Sequence, residues 1–421
     1  MRTLPDSTGM NAEGTPPAEI PAPETNETPL SMRLRKWVLP VLIVLMVEEW
    51  SSGLRDALCI GAALWLLLAP PKSPIPVRPS PALTLLLGWA LWSALSVLWA
   101  DHPHLAWRDA LKFAPVIAGT WSISRLVQRR TEAEYMLFWI GIGLTLVFMV
   151  DALTWLAGVG TQWNLFTRWE TPRAFQHPNT YSGLIVASLP IALLRLHLPD
   201  EPRWSKAMGV LQIVTSAILL WTFASRTAQI ALVITSLFAL MLMFGRRSLP
   251  AAALLLALAV GSAPWLNPRF NDPSMSNLSD RFDVWERTSD LVLERPLLGH
   301  GFGTRNFTTT LYARFPNRTT DFKHPHDLPL ELVFSTGLVG LALFTGAWVA
   351  VATRLAHLHR HGAGFDRSLA TALLSSLCAL LVFSLADYPR GPLWIFLWVI
   401  FGIATGITRT ARSDSTQRIS G

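Results

Sequence analysis

The sequence predicts an all-α polytopic membrane protein of about twelve transmembrane helices with one large loop on the outer face. Three observations predict it. Of 421 residues, 51% are hydrophobic and only 15% charged, where a soluble domain carries roughly 25% charge. Apolar runs approaching the ~20 residues needed to cross ~30 Å of hydrocarbon recur along the chain, and a helix lets such a run satisfy its own backbone. Lys and Arg gather in alternate interhelical segments, the pattern that sets orientation. The net charge of +7 would raise nucleic acid as a partner for a soluble protein. Here no segment interleaves bases with aromatics as a single-strand binder does, so nucleic acid is rejected.

The elements follow in order. Residues 1–32 read as a disordered cytoplasmic tail, rich in Pro, Thr, Glu and Ala, with Asp6, Glu13, Glu19, Glu24 and Glu27 against Arg2 alone. No basic stretch leads into a short apolar one there, so the first helix is expected to be retained. Residues 33–266 are expected to hold nine transmembrane helices, in windows 35–50, 54–70, 82–100, 105–125, 134–157, 180–198, 206–224, 226–244 and 248–266. Residues 267–328 form the large loop, windows 329–353, 368–387 and 390–408 complete residues 329–408, and 409–421 are a second tail. Basic segments such as Arg33 to Lys36, Arg125 to Arg130, Arg246–Arg247 and Arg354 to Arg367 place those loops and both termini in the cytoplasm. The opposite set holds short turns, Tyr388 to Gly391 among them, and two longer segments, Gly158 to Asn179 and Asn267 to Leu328. Cys59 and Cys378 both lie in apolar runs, so neither a disulfide framework nor a thiolate metal site is expected.

Inside the large loop Ser279 can cap a helix running to Glu294, where Pro296 stops it. Phe282, Trp285, Ser289 and Val292 fall at helical spacing and give one packing face, so the helix is expected to lie on the membrane surface or over the bundle. Eight Lys and Arg balance eight Asp and Glu between Asn267 and Leu328; any anion site in the loop must be local. Asp280 and Asp283 suit the first turn of a helix, and His357, His359 and His361 read as solvated linker residues.

Three constellations can carry chemistry. Lys323-His324-Pro325-His326-Asp327 stands where the large loop meets the next apolar helix. A histidine there titrates near neutrality and can act as a general base; it can equally bond a headgroup or a carbonyl. His-x-His with one carboxylate is an incomplete zinc site, so no metal is assigned. Second, Gly299, Gly301 and Gly303 alternate after Pro296, which makes either a tight turn or a backbone approach to a lipid-linked phosphate. The spacing is not that of the nucleotide-binding motifs. Third, Arg168, Arg173, Arg226, Arg281, Arg287, Arg305, Arg314 and Arg318 fall on the outer side. Arg226 sits between two apolar runs with almost no loop. An arginine at the bilayer centre costs about 2.5–3.5 kcal/mol, less near the interface. A lipid-linked pyrophosphate can offset that cost bidentately, as can snorkelling to ordinary headgroups.

Together these residues resemble the O-antigen ligase and polymerase family of bacterial inner-membrane glycosyltransferases. The resemblance rests on Phe175-Gln176-His177-Pro178-Asn179, Ser225-Arg226, Arg281 followed four residues on by Trp285, Arg295 to Gly303, and His324-Pro325-His326-Asp327 leading into Gly337 to Gly340. It implies a GT-C-like membrane glycosyltransferase with a periplasmic active site in the cell inner membrane. The implied donor is an undecaprenyl-pyrophosphate-linked glycan and the implied acceptor a lipid A-core oligosaccharide, in lipopolysaccharide biosynthesis, with no cofactor and no metal. Carried over by residue, the family's essential histidine falls on His326 and its two best-known arginines on Arg226 and Arg281. Arg173, Arg305, His324, Gly301, Gly303 and Trp285 are the further substrate-binding candidates. Where many relatives have His-Asn, this chain has His326-Asp327, an acidic neighbour expected to raise the His326 pKa and hold its tautomer, or to leave open whether His324 or His326 is the base. Within the family the rival activity is an O-antigen or other polysaccharide polymerase, and a protein O-glycosyltransferase lies further off. A lipid-linked sugar transporter is disfavoured because the candidate residues gather at the outer interface rather than at the midplane.

Overall fold

The computed structural model describes residues 52–68, 80–127, 130–159, 178–198, 201–266, 276–316, 324–389 and 391–419. The predicted window at 35–50, most of the segment Gly158 to Asn179 with Arg168, Arg173 and His177, and Arg318 and Lys323 lie outside them. Among the described residues the chain is all helix: α1 Ser52–Leu68, α2 Pro81–Leu95, α3 Pro103–Leu126, α4 Arg130–Val159, α5 Pro178–His197, α6 Arg203–Phe223, α7 Arg226–Phe244, α8 Leu249–Leu266, α9 Ser276–Glu294, α10 Thr304–Arg314, α11 Leu328–His361, α12 Phe365–Ser384 and α13 Gly391–Ile419. Every other predicted window coincides with one of these helices. Seven described segments are long and apolar enough to cross a membrane by length and composition, so the chain is a multi-pass membrane protein.

The core runs through most of the helices, and an aromatic cluster within it lies between α2, α3, α11 and α13. Trp89 is fully buried, stacks on Trp398 at 5.7 Å and meets Phe113, Phe344 and Phe302 edge-on. Such pairs add about 0.5–1.5 kcal/mol each beyond the area they bury. Phe302 belongs to the glycine-rich turn, so the large loop is pinned to the bundle's centre rather than resting on its surface.

Helix α11 is interrupted at Gly337 (φ 66°, ψ −174°), a backbone region essentially closed to other residues. A Cβ there would stand 2.0 Å from the Leu297 carbonyl oxygen. The break frees carbonyls that apolar surroundings cannot solvate, and each must find a donor. His300 N donates to Phe334 O (2.7 Å), Gly301 N to Ser335 O (3.1 Å) and the Trp92 indole to Thr336 O (2.9 Å), while Leu338 N donates to Pro296 O (2.8 Å). The glycine turn is therefore the splint of a broken helix. The His300 ring, fully buried, is held between Asp101 Oδ2 (2.8 Å) and Leu291 O (2.7 Å), which locks α9 to the α2–α3 corner.

The loop helix α9 begins at Ser276, three residues before the predicted cap. Asp280 and Asp283 therefore leave the first turn, and Asp283 pairs with Arg287 one turn on at 2.8 Å. Its packing face matches the expected one in part: Val292 packs half-buried and Trp285 is half-buried, but Val284, Thr288 and Leu291 are the buried centre, whereas Phe282 is 56% exposed and Ser289 is exposed as well. The buried stripe joins Phe307 and Leu311 of α10 and Phe334 of α11, so α9 lies over the bundle. Helix α10 was not foreseen; its apolar content is too low for periodicity to reveal it.

Candidate active site

Three helix ends meet where α9 crosses the bundle. Residues 324–327 enter α11, Asp387 follows α12, and Asn179 opens α5. Asp387 is 4% exposed. Its Oδ1 stands 2.8 Å from His326 Nδ1 and accepts the Tyr388 amide at 2.9 Å, and its Oδ2 accepts from Asn179 Nδ2 at 2.9 Å. Arg281 Nη2 approaches the same oxygen at 3.9 Å, and Arg281 Nη1 donates to the Ala386 carbonyl. Burial raises the Asp387 carboxyl, but the hydrogen bond and charge of His326, with the charges of Arg281 and His324, outweigh it and hold the group below the usual carboxylate range.

An ionised Asp387 accepting from Nδ1 places the ring proton there, so Nε2 is the basic nitrogen of neutral His326. The backbone holds that arrangement. His326 has φ 55°, a left-handed conformation costing of the order of 1–3 kcal/mol unless its surroundings over-determine it. Here they do. The Trp285 indole donates to Pro325 O at 2.6 Å, and His324 packs against His326 with ring centroids 4.1 Å apart and against Tyr388 at 5.4 Å. Arg281 and Trp285, one turn apart on α9, thus clasp both segments that meet at the site, one through Ala386 and the other through Pro325.

Asp327 does not serve as the partner of His326. Its carboxylate caps α11 by accepting from Leu330 N at 2.7 Å, and burial raises its pKa, against the lowering effect of that bond. The expectation that the neighbouring acid tunes His326 is corrected: the acid is Asp387, sixty-one residues on. An aspartate next in sequence is drawn to cap the helix it opens. The signal for Asp387 was present but unused, since it is the sole acid between Asp366 and Asp414, and an acid in such an apolar stretch needs a partner.

The other candidates divide. Arg226 heads α7, behind Ser225, whose hydroxyl accepts from Ala228 N, and Ala224 in the left-handed region (φ 49°). Since Phe244 at the far end of α7 lines a cavity with Arg367 at the start of α12, Arg226 lies toward the end of the bundle that carries Asp387. Gly301 gives its amide to Ser335 O, so that hydrogen is not offered to a phosphate. A Cβ on Gly303 would stand 2.7 Å from Asp109, and Arg305, exposed, donates its own amide to that Asp109 carboxylate at 3.2 Å. Those three belong to the splint and to the start of α10.

His324, His326 and Asp387 each offer one ligand atom within 4.8 Å of the others, so the carboxylate nearest the two histidines is Asp387 rather than Asp327. His326 Nδ1 and Asp387 Oδ1 face each other at hydrogen-bonding distance. A metal at ~2.0–2.2 Å from both would have to replace that bond.

The family model described as O-antigen ligase matches residues 211–345. Over these residues, about a third of the chain, the protein is similar to the O-antigen ligase family. No curated protein matches the chain. The matched segment contains Arg226, Arg281, Trp285, His324 and His326, whereas Asn179 and Asp387 come from helices on either side of it. That similarity supports a function of the ligase or polymerase type in surface polysaccharide biosynthesis.

Proposed function

We propose that the protein is an O-antigen ligase that moves a glycan from undecaprenyl pyrophosphate onto lipid A-core oligosaccharide at the periplasmic face of the bacterial inner membrane. The observation that carries the reading is the His326–Asp387 hydrogen bond of 2.8 Å, set where the large loop meets the bundle. On this reading about twelve spans form a GT-C-like membrane domain with both termini cytoplasmic.

In the reaction, His326 Nε2 takes the proton of an acceptor sugar hydroxyl as that oxygen bonds to the donor's anomeric carbon. The bond from that carbon to the pyrophosphate oxygen breaks, and the electron pair leaves with the pyrophosphate. Asp387 holds the tautomer and stabilises the imidazolium that forms. Arg226 receives the departing charge bidentately. Arg281 keeps Asp387 ionised and adds positive charge beside the site. Arg173 and Arg305 are lesser candidates for the glycan's phosphates. Pyrophosphate leaves readily, so a base and electrostatic stabilisation suffice, and the step needs no metal.

The test is reconstitution of the purified protein with undecaprenyl-pyrophosphate-linked glycan and lipid A-core, read out as glycolipid product. Product that requires both substrates and persists in EDTA is expected. Chain growth on the donor alone would make the protein a polymerase, and activity lost in EDTA but restored by Zn²⁺, Mn²⁺ or Mg²⁺ would overturn the metal-free mechanism.

A further inference from the structure

At the opposite end of the bundle, α5, α6, α7, α11 and α12 enclose a cavity of about 450 Å³. It lies far from the site, since α12 starts at the cavity and reaches Asp387 after 20 residues, about 30 Å of helix at ~1.5 Å per residue. The volume is within the ~300–1,000 Å³ of ordinary ligand sites.

The lining has two parts. Leu189, Leu193, Leu232 and Met243 form an apolar chamber, and Leu193 and Met243 are 52% and 43% exposed, so the chamber opens sideways to the lipid. His197, His359 and Arg367 form its rim. Arg367 is exposed and in no ion pair among the described residues, and Arg246, Arg247 and Arg360 lie at the same basic end of the bundle. His359 Nδ1 is 3.0 Å from Thr371 Oγ1, which fixes its ring toward α12. Inside, Ser375 is 1% exposed and its hydroxyl has no hydrogen-bond partner among the described residues. A buried hydroxyl without a partner costs of the order of 1–3 kcal/mol, which an ester carbonyl reaching into the chamber would relieve.

We propose that this cavity binds an anionic glycerophospholipid, its phosphate on Arg367 at the rim, an ester carbonyl on Ser375 and one acyl chain in the apolar chamber. Charge and shape select this occupant together. A free anion would leave the chamber empty, and a zwitterionic lipid would bring its own cation to a cationic rim. Basic pockets between helices are where anionic headgroups settle. The lipid would brace α5 and α12, whose other ends carry Asn179 and Asp387.

Native mass spectrometry of the delipidated full-length protein tests this, with dioleoyl phosphatidylglycerol, dioleoyl phosphatidylcholine, glycerol 1-phosphate and farnesyl phosphate as probes. Phosphatidylglycerol should occupy one site at least fivefold more than phosphatidylcholine, with no retention of glycerol 1-phosphate. Arg367→Glu, an exposed change that leaves packing intact, and Ala239→Phe, which fills the chamber, should each lower that occupancy at least fivefold. Equal occupancy by the two phospholipids would overturn the proposal, as would indifference to both variants. So would retention of glycerol 1-phosphate, which would make it a free-anion site, or displacement by equimolar farnesyl phosphate, which would make it a polyprenyl-carrier site.

Discussion

Helix α11 is bracketed by two histidine pairs whose rings lie almost the same distance apart. His324 and His326 stand 4.1 Å apart before its first turn, His357 and His361 4.2 Å apart in its last. The second pair is a surface neighbour effect of helical spacing: both residues are exposed, and His361 Nδ1 lies 3.0 Å from the His357 carbonyl of its own helix. The first pair is different in kind. His324 is fully buried, His326 is in left-handed backbone, and Asp387 and Arg281 arrive from other helices. Adjacent imidazoles are therefore not a site in themselves; a carboxylate removed from water, with a fixed tautomer beside it, makes one.

The comparison is broken most severely at His326. His326→Ala should lower transfer by about 10²- to 10⁴-fold while the protein stays in the membrane at wild-type level; glycolipid formed at the normal rate would sink the assignment. Asp387→Asn should come next, at about 10²-fold or more in kcat, because an amide lets Nδ1 accept and so misplaces the proton. The same variant has a stability signature. The Asp387 carboxyl is held below its ordinary value in the fold, so its stabilisation is complete above the unfolded value of ~3.9 and lost as pH falls through the folded one. The melting-temperature gap between wild type and variant should be full at pH 7 and close below about pH 4. A gap independent of pH would mean that Asp387 is not ionised in the folded protein.

Trp285→Phe sharpens the comparison more gently. It removes the hydrogen bond to Pro325 O but keeps the ring, a loss of about 1 kcal/mol, and activity should fall several-fold in kcat with little change in KM. An unchanged kcat would show that the His326 backbone is held without it. At the small end, the double variant His357→Ala, His361→Ala should stay within about twofold of wild type in transfer, because neither residue meets a buried carboxylate; a larger loss would erase the distinction between the pairs.

How much of this was legible is clearest residue by residue. The windows at 54–70 and beyond match helices, and seven described segments are long and apolar enough to cross a membrane, because composition and run length are carried locally by a sequence. His326, Arg281 and Arg226 stand in short motifs that the family resemblance singles out. The face of α9 is legible only in part: Trp285 and Val292 lie toward the packed side, but Phe282 and Ser289 satisfy a helical period as well as Val284 and Leu291 do, and only the contact with α10 and α11 distinguishes them. The glycine turn was ambiguous for a similar reason: alternate glycines permit close backbone approach, but what approaches is the broken stretch of α11.

The sequence by itself determined that this chain is a membrane bundle and that His326 stands at the mouth of a helix, since hydrophobic run length and local motifs act over a few turns. The tertiary structure alone decided which acid serves that histidine. Asp327 and Asp387 are chemically the same, and the nearer one is consumed in capping α11. The distant one is carried by α12 to the only place among the described helix ends where Asn179, Arg281 and His326 converge on a buried carboxylate, and that convergence depends on packing rather than on any local pattern.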